Sequence, residues 1–259
     1  MERKIAVVTG ATSGMGRKMA EEINDSIPNV SEIWLFGRRK DRLEALDRVL
    51  TKKTRLFPMD LQSDFSLAEY EKLLADEKPQ IVFLVNAAGF GKIGTISSLS
   101  IKDQLGMIDL DMRALTALTR LSIPYLSKKS RIINFASMAA FLPQPSFAVY
   151  AACKSYVLSF SRALNEELRG TGCVVTAVCP GPVRTEFFDI AETSGRIPFY
   201  KLFFMADPDK VVRKAFRDSV TGRDISIYGA SMNAFALMTK LLPHSFIFFI
   251  MRRINRLMK

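Results

Sequence analysis

Short apolar runs alternate along the chain with stretches in which apolar residues recur every three or four positions. The runs are Ile5–Thr9, Ile33–Phe36, Arg55–Pro58, Ile81–Asn86, Ile132–Ala136, Cys173–Cys179 and Asp224–Tyr228. Rich in Val, Ile and Leu, they predict about seven strands. The periodic stretches predict helices near 15–26, 40–51, 66–76, 101–128, 150–169 and 208–220. Strands with little polar alternation are covered on both faces, which implies an α/β protein: a doubly wound parallel sheet with helices on both sides. No repeat, low-complexity segment or linker divides the chain. One domain over 1–231 and a tail over 232–259 are expected.

Composition narrows the partners. The 259 residues suffice for one large core, and 48% hydrophobic with 24% charged residues is ordinary for a globular protein. The net charge is +11, but the tail from Met232 holds five basic residues and no acidic one, leaving +6 for the rest. No basic stripe with interleaved aromatics is present, so a nucleic-acid partner is not expected. Cys153, Cys173 and Cys179 form no C-x-x-C pair, and core packing in a reducing compartment is their expected role. His244 is the only histidine, which argues against a metal centre or a histidine-based dyad. Lys4–Thr9 reads as a strand almost from the first residue, so no secretory leader is expected.

The first strand runs into Thr9-Gly10-Ala11-Thr12-Ser13-Gly14-Met15-Gly16 and then a helix. Glycines there let the backbone approach a diphosphate, and the helix N-terminus offers free N–H groups to it. Together with the strand pattern this makes the sheet Rossmann-type. Gly37-Arg38-Arg39-Lys40 ends the second strand, where the adenosine ribose of a dinucleotide would lie. No acidic residue stands at 36–40 to bond a free 2′-hydroxyl, whereas a guanidinium suits a 2′-phosphate. NADP(H) is therefore expected, with Arg38 as the better contact and Lys40 and Arg42 as solvated charges. Asp60, beside Leu61, either reaches the adenine or serves the loop. Asn86-Ala87-Ala88-Gly89 closes the fourth strand, either against the nucleotide or as a tight turn. Pro180-Gly181-Pro182-Val183-Arg184-Thr185 ends the sixth, with a hydroxyl placed for a nicotinamide amide.

Ser137 stands at the end of the fifth strand, and Tyr150 and Lys154 follow one helical turn apart on one face. An ammonium beside a phenol favours the ionised phenol, so a lowered Tyr150 pKa is expected.

With these motifs in order at successive strand ends, residues 4–230 resemble the short-chain dehydrogenase/reductase family, in its compact single-domain, NADP-preferring branch. Members of that branch often carry a second basic residue in the glycine loop, where this chain has Ser13. The resemblance implies that Tyr150 exchanges the proton of a carbonyl or alcohol. Lys154 lowers the tyrosine pKa and holds the nicotinamide ribose, and Ser137 positions the carbonyl oxygen. It also implies a homodimer or homotetramer. The family usually has asparagine where this chain has Asp111; its main-chain carbonyl holds a water that relays protons to the lysine. An ionised Asp111 would stabilise the Lys154 ammonium, and an altered pH profile follows. A non-catalytic NADP(H)-binding sensor is the alternative reading.

The lid region between Thr185 and Pro208 is dense in aromatics and, with Phe141, Leu142 and Phe147, suggests a lipophilic substrate: a steroid, acyl or bulky aromatic ketone. Core or subunit packing is the competing role for these side chains. The tail has no apolar stretch long enough to span a membrane. A helix from Phe246 would place Phe246, Ile247, Ile250, Ile254, Leu257 and Met258 opposite Arg252, Arg253, Arg256 and Lys259. That suits either an anionic membrane surface or a second subunit. A cytoplasmic protein is expected, membrane-associated if the tail binds lipid.

Overall fold

Ile5 and Val7 of the first strand enter one hydrophobic core, and Ala6 and Val8 enter another. Side chains alternate across a strand, so both faces of the sheet are covered. The computed structural model describes residues 3–192 and 205–257, except the side chains of 192, 250–252 and 254–257. Seven strands form one parallel sheet in the order β3-β2-β1-β4-β5-β6-β7. They are β1 (Lys4–Thr9), β2 (Glu32–Gly37), β3 (Lys53–Pro58), β4 (Gln80–Asn86), β5 (Leu126–Phe135), β6 (Val174–Val178) and β7 (Ile225–Ser226). Against one face lie α1 (Gly14–Ser26), α2 (Lys40–Asp47) and α8 (Pro208–Val220). Against the other lie α3 (Asp64–Glu77), α5 (Leu115–Ser122) and α6 (Ala148–Glu167). Each fully buried Leu or Ile contributes about 1.5–3 kcal/mol, and the two cores hold the sheet rigid between them.

The order reverses between β1 and β4, which opens a crevice at their carboxyl ends. Thr9 ties its two sides together: its hydroxyl accepts from the Ala87 and Ala88 amides, both at 3.1 Å, and donates to the Val85 carbonyl.

The helix expected over 101–128 is not continuous. It comprises α4 (Ile101–Ile108), a π-helical turn (Asp109–Ala114) and α5, with a short 3₁₀ turn at Ile123–Tyr125 before β5 begins at Leu126. Its apolar spacing continues through Leu126, whereas Pro124 ends helical pairing. The helix expected over 40–51 stops at Asp47, and α7 (Phe187–Glu192) follows Thr185.

The 231/232 boundary falls inside α9 (Ala230–Leu241), whose Ala236 is buried beside Val157 and Cys179. In α10 (His244–Leu257), Ile247 is buried while Phe246 and Phe249 are exposed, so Phe246 and Ile247 do not share an environment. Arg253 lies over the ring of the exposed Phe249, 5.4 Å from its centroid. Ile250, Arg252, Ile254, Arg256, Leu257, Met258 and Lys259 lie outside the described side chains. Among the described residues no helix is long and apolar enough to cross a membrane.

Candidate active site

The glycine-rich turn is built by close approach. Gly10 has φ +67, and a Cβ there would lie 2.7 Å from the Ala87 carbonyl oxygen; at Gly16 it would lie 2.4 Å from the Gly10 carbonyl oxygen. Side chains at either position would prise β1, α1 and β4 apart. Ser13 caps α1 in extended geometry without a side-chain hydrogen bond, and no acidic residue occupies the first turn. The free N–H groups of that turn suit a diphosphate, so these residues fit a dinucleotide. Gly37 belongs to the same cradle, since a Cβ there would meet Thr12 at 2.5 Å.

At the end of β2 the arginines divide differently from expectation. Arg38 is exposed and forms no hydrogen bond or ion pair among the described residues. Arg39 reaches over the glycine-rich turn to Thr12 Oγ1 at 3.3 Å and to Glu186 Oε2 at 3.0 Å. Arg42, expected to be a solvated charge, instead binds the other oxygen of Glu186. Asp60 is exposed and accepts from the Gln62 amide at 3.1 Å, in keeping with a loop role, while the Leu61 side chain is buried in the core.

Tyr150 and Lys154 project from the N-terminal half of α6 into an apolar pocket of about 140 Å³. It brings together Met15, Ala87, Gly89, Ser137, Tyr150, Lys154, Pro180, Gly181, Val183 and Thr185, with Phe147, Phe187 and Phe188. Phe147 stacks on the Tyr150 ring at 4.3 Å and Phe187 tilts against it at 5.4 Å. A Cβ at Gly91 would strike all three rings, so that residue is what lets them meet. Ser137 lines the pocket with the phenol, and its hydroxyl accepts from the Ala139 amide at 3.1 Å. Its strand end is fixed by the Met138 amide donating to the Pro180 carbonyl at 2.9 Å.

Lys154 Nζ donates to the Phe135 carbonyl at 3.1 Å and lies 3.3 Å from Asp111 Oδ2, both side chains being buried. Asp111 Oδ1 accepts from the Phe90 amide at 3.2 Å. Asp111 sits in the π-helical turn, where an extra residue per turn is accommodated. Gly89 permits the packing, because a Cβ there would come within 2.6 Å of Asp111 Oδ1. Burial opposes the Lys154 charge, yet Asp111 and then Tyr150 outweigh it and hold the ammonium above its ordinary pKa. Burial pushes the Asp111 carboxyl up against the pull of Lys154. The two groups titrate as a coupled unit, each shifting the other.

The expected fall in the Tyr150 pKa is not found. Burial pushes the phenol up and outweighs the pull of Lys154, while Asp111 opposes that pull. The carboxylate cancels part of the field that the ammonium casts on the ring.

Two other expected contacts serve the protein's own structure. Asn86 is buried, its amide donating to Thr119 and Asn134, so its side chain braces β4 against α5 and β5. The Thr185 hydroxyl makes only a 3.5 Å contact with the Val183 carbonyl. Cys153 and Cys179 are buried, with thiols pushed up to about 12 by burial, and Cys173 is half-buried. Among the described residues no cluster suits a metal ion. Residues 193–204 of the expected lid lie outside the described residues.

Thr9, Gly37 and Arg39 stand inside motifs read in the sequence, which gave them no contacts of their own. Glu186 gave no signal, because its partners are far away in the chain.

Residues 4–194 match the short chain dehydrogenase family. The NADP-dependent 3-hydroxy acid dehydrogenase of Salmonella typhi is 33% identical over 190 residues, 72% of this chain and 75% of its own length. Serine 3-dehydrogenase of Agrobacterium fabrum is 33% identical over 187 residues, 70% of this chain and 72% of its own. A short-chain dehydrogenase from Sphingobium yanoikuyae, solved in complex with NADPH, superposes with TM-score 0.77 at 27% identity, covering 90% of this chain and 91% of that one. By fold, glycine cradle and family match alike, the chain belongs to the short-chain dehydrogenase/reductase family.

Proposed function

We propose that this protein is an NADP(H)-dependent oxidoreductase that interconverts a secondary alcohol and a ketone on a lipophilic substrate. The observation that carries the reading is the Tyr150 phenol beside the buried Lys154 ammonium, with Ser137 in the lining of the same apolar pocket. NADP(H) is supported by the fit of the glycine cradle, by the two guanidiniums beside it and by the NADPH-bound relative. The turn residues Gly10, Thr12, Ser13, Gly14, Met15 and Gly16 would hold its diphosphate, and Arg39 and Arg42, with the exposed Arg38, its 2′-phosphate. Asp60, Leu61 and Asn86–Gly89 would border the adenosine side, and Pro180–Thr185 the nicotinamide side. When bound, that group supplies or accepts the hydride.

The chain's own residues handle the proton. In reduction Tyr150 donates to the carbonyl oxygen, and in oxidation it accepts from the alcohol. Ser137 donates a hydrogen bond to the same oxygen and fixes its distance from the phenol. Lys154 keeps a positive charge beside the forming phenolate, and Asp111 keeps Lys154 charged.

Aromatic and aliphatic walls favour an uncharged substrate, and the described lining offers no arginine to a carboxylate. About 140 Å³ is below the roughly 300 Å³ at which drug-sized ligands fit, so a bulky ketone requires Phe187 and Phe188 to move. The same small volume supports a second reading, a short hydroxy acid, in line with the named relatives. A panel of hydroxysteroids, ketoacyl thioesters, aromatic ketones and 3-hydroxy acids, followed by NADPH absorbance, decides between them. Turnover confined to the acids would replace the lipophilic reading. NADPH binding without turnover on any of them would leave a cofactor sensor.

An oligomer is supported by exposed Ile101, Leu105 and Ile108 along one face of α4, and size-exclusion with light scattering tests it. Exposed Leu237, Leu241, Phe246 and Phe249 beside a basic tail support contact with an anionic membrane. Deleting residues 243–259 should then abolish sedimentation with anionic vesicles; unchanged sedimentation would remove that role.

A further inference from the structure

The loop after Thr185 closes over the dinucleotide crevice by two contacts. Thr185 packs on the glycine-rich turn, 3.5 Å from where a Cβ on Gly14 would stand. One residue on, Glu186 places one carboxylate oxygen on Arg39, at 3.0 Å, and the other on Arg42. Arg39 also rests on Thr12 of that turn, so the bridge runs from the end of β2, across the turn, to the start of α7. The next residue, Phe187, covers the Tyr150 ring. A single short segment thus joins the phosphate end of the crevice to the lid of the reaction centre.

Arg42 and Arg39 hold the Glu186 carboxyl below the usual carboxylate range against a smaller effect of burial, so it is ionised at neutral pH. Two guanidiniums gripping two oxygens of one carboxylate form the arrangement that a phosphate monoester also satisfies. A phosphate brings three acceptor oxygens and up to two charges, and binds such a pair more strongly. The bridging side chains are each about 38–39% exposed, so water already reaches the pairs and exchange needs no unfolding.

Resting on the NADP(H) reading above, we propose that Glu186 is an internal stand-in for the 2′-phosphate and a determinant of cofactor choice. It occupies Arg39 and Arg42 in the free protein; the 2′-phosphate displaces it, and the freed segment lifts Phe187 from Tyr150, enlarging a pocket too small for a bulky substrate. A dinucleotide without that phosphate offers the arginines nothing in exchange, so the bridge stays closed. Glu186 acts through Arg39, Arg42 and Phe187 and is a positioning residue.

The test uses adenosine 2′,5′-bisphosphate and 5′-AMP, which carry the adenosine end but no nicotinamide, against the whole protein and its Glu186→Gln variant. By calorimetry the bisphosphate should bind the variant about five-fold more tightly, the scale of two partly exposed ion pairs, with 5′-AMP unchanged. Hydrogen exchange at 187–192 should quicken in the wild type when the bisphosphate is added. In the variant it should be fast from the start. Equal or weaker bisphosphate binding by the variant, or slower exchange at 187–192 on binding, would overturn the proposal while leaving the cofactor reading intact. If the bisphosphate binds neither protein while NADH binds both, the NADP(H) reading falls and this proposal with it.

Discussion

Ion pairs gather at both ends of the sheet, and they are built differently. At the amino-terminal ends of β1, β2 and β3, Glu32 meets Arg3, Lys53 and Arg55, and Glu77 meets Arg3 and Arg55. Arg3 and Arg55 lie over Trp34, whose indole N–H donates to Glu32. Every partner there stands on a strand, beside one, or at the end of a packed helix, and the charges satisfy one another. At the carboxyl ends the pairs face the crevice. Among the described residues Lys154 has Asp111 alone as counter-ion in a buried wall of the pocket, and Arg39 and Arg42 are held by a carboxylate on a short loop. The first cluster has nothing left to exchange, whereas the second has charges that a ligand can take over. Removing a charge at the first end should therefore cost stability alone, and at the second end it should change chemistry.

The largest effect is expected at the reaction centre. Tyr150→Phe should lower kcat by about 10²–10⁴-fold with little change in thermal stability, because only the phenolic proton is lost. Steady-state rates beside a melting curve check this. If both ends fell alike in stability, the distinction between them would break.

Asp111→Asn tests the buried pair. Leaving Lys154 charged and unpaired should cost about 3–5 kcal/mol in urea unfolding. Asp111 and Tyr150 hold the folded Lys154 pKa above its ordinary 10.5. Its contribution to stability is therefore full below that value and is lost only as pH rises through the higher folded one. The variant should lose stability at a lower alkaline pH, and the high-pH limb of kcat should move the same way. An unchanged profile would reduce Asp111 to a packing residue.

At the other end, Glu32→Ala should cost about 2–3 kcal/mol by the same urea assay and leave kcat unchanged. A fall in kcat there would show that the two ends are coupled through β2. The smallest effect separates neighbours: Arg39→Ala should raise KM for NADPH about ten-fold, and Arg38→Ala about two-fold. A reversed order would return the phosphate contact to Arg38.

Much of the scaffold was legible because its signals are local. Each of the seven strands overlaps one of the runs read in the sequence, and the Gly10–Gly16 turn follows directly from β1. Tyr150 and Lys154 share a face because 3.6 residues make a turn. Arg38 and Arg39 are indistinguishable as neighbours in the sequence, and only the fold shows Arg39 on Thr12 and Glu186 with Arg38 exposed. The long helix over 101–128 read as continuous because a π-helical turn keeps apolar spacing nearly intact.

The sequence alone determined the parallel α/β sheet and the glycine-rich turn after its first strand, which follow from residue type and spacing within a few positions. Ser137, Tyr150 and Lys154 as the proposed chemical set came from the resemblance to the family, with only the Tyr150–Lys154 spacing read locally. Tertiary structure alone decided that Glu186, 147 positions from Arg39 and 144 from Arg42, bridges the crevice. It also decided that Asp111 faces Lys154, and that burial raises the Tyr150 phenol that a neighbouring ammonium would lower. Charge pairing and desolvation depend on distance through space, and the fold sets that distance.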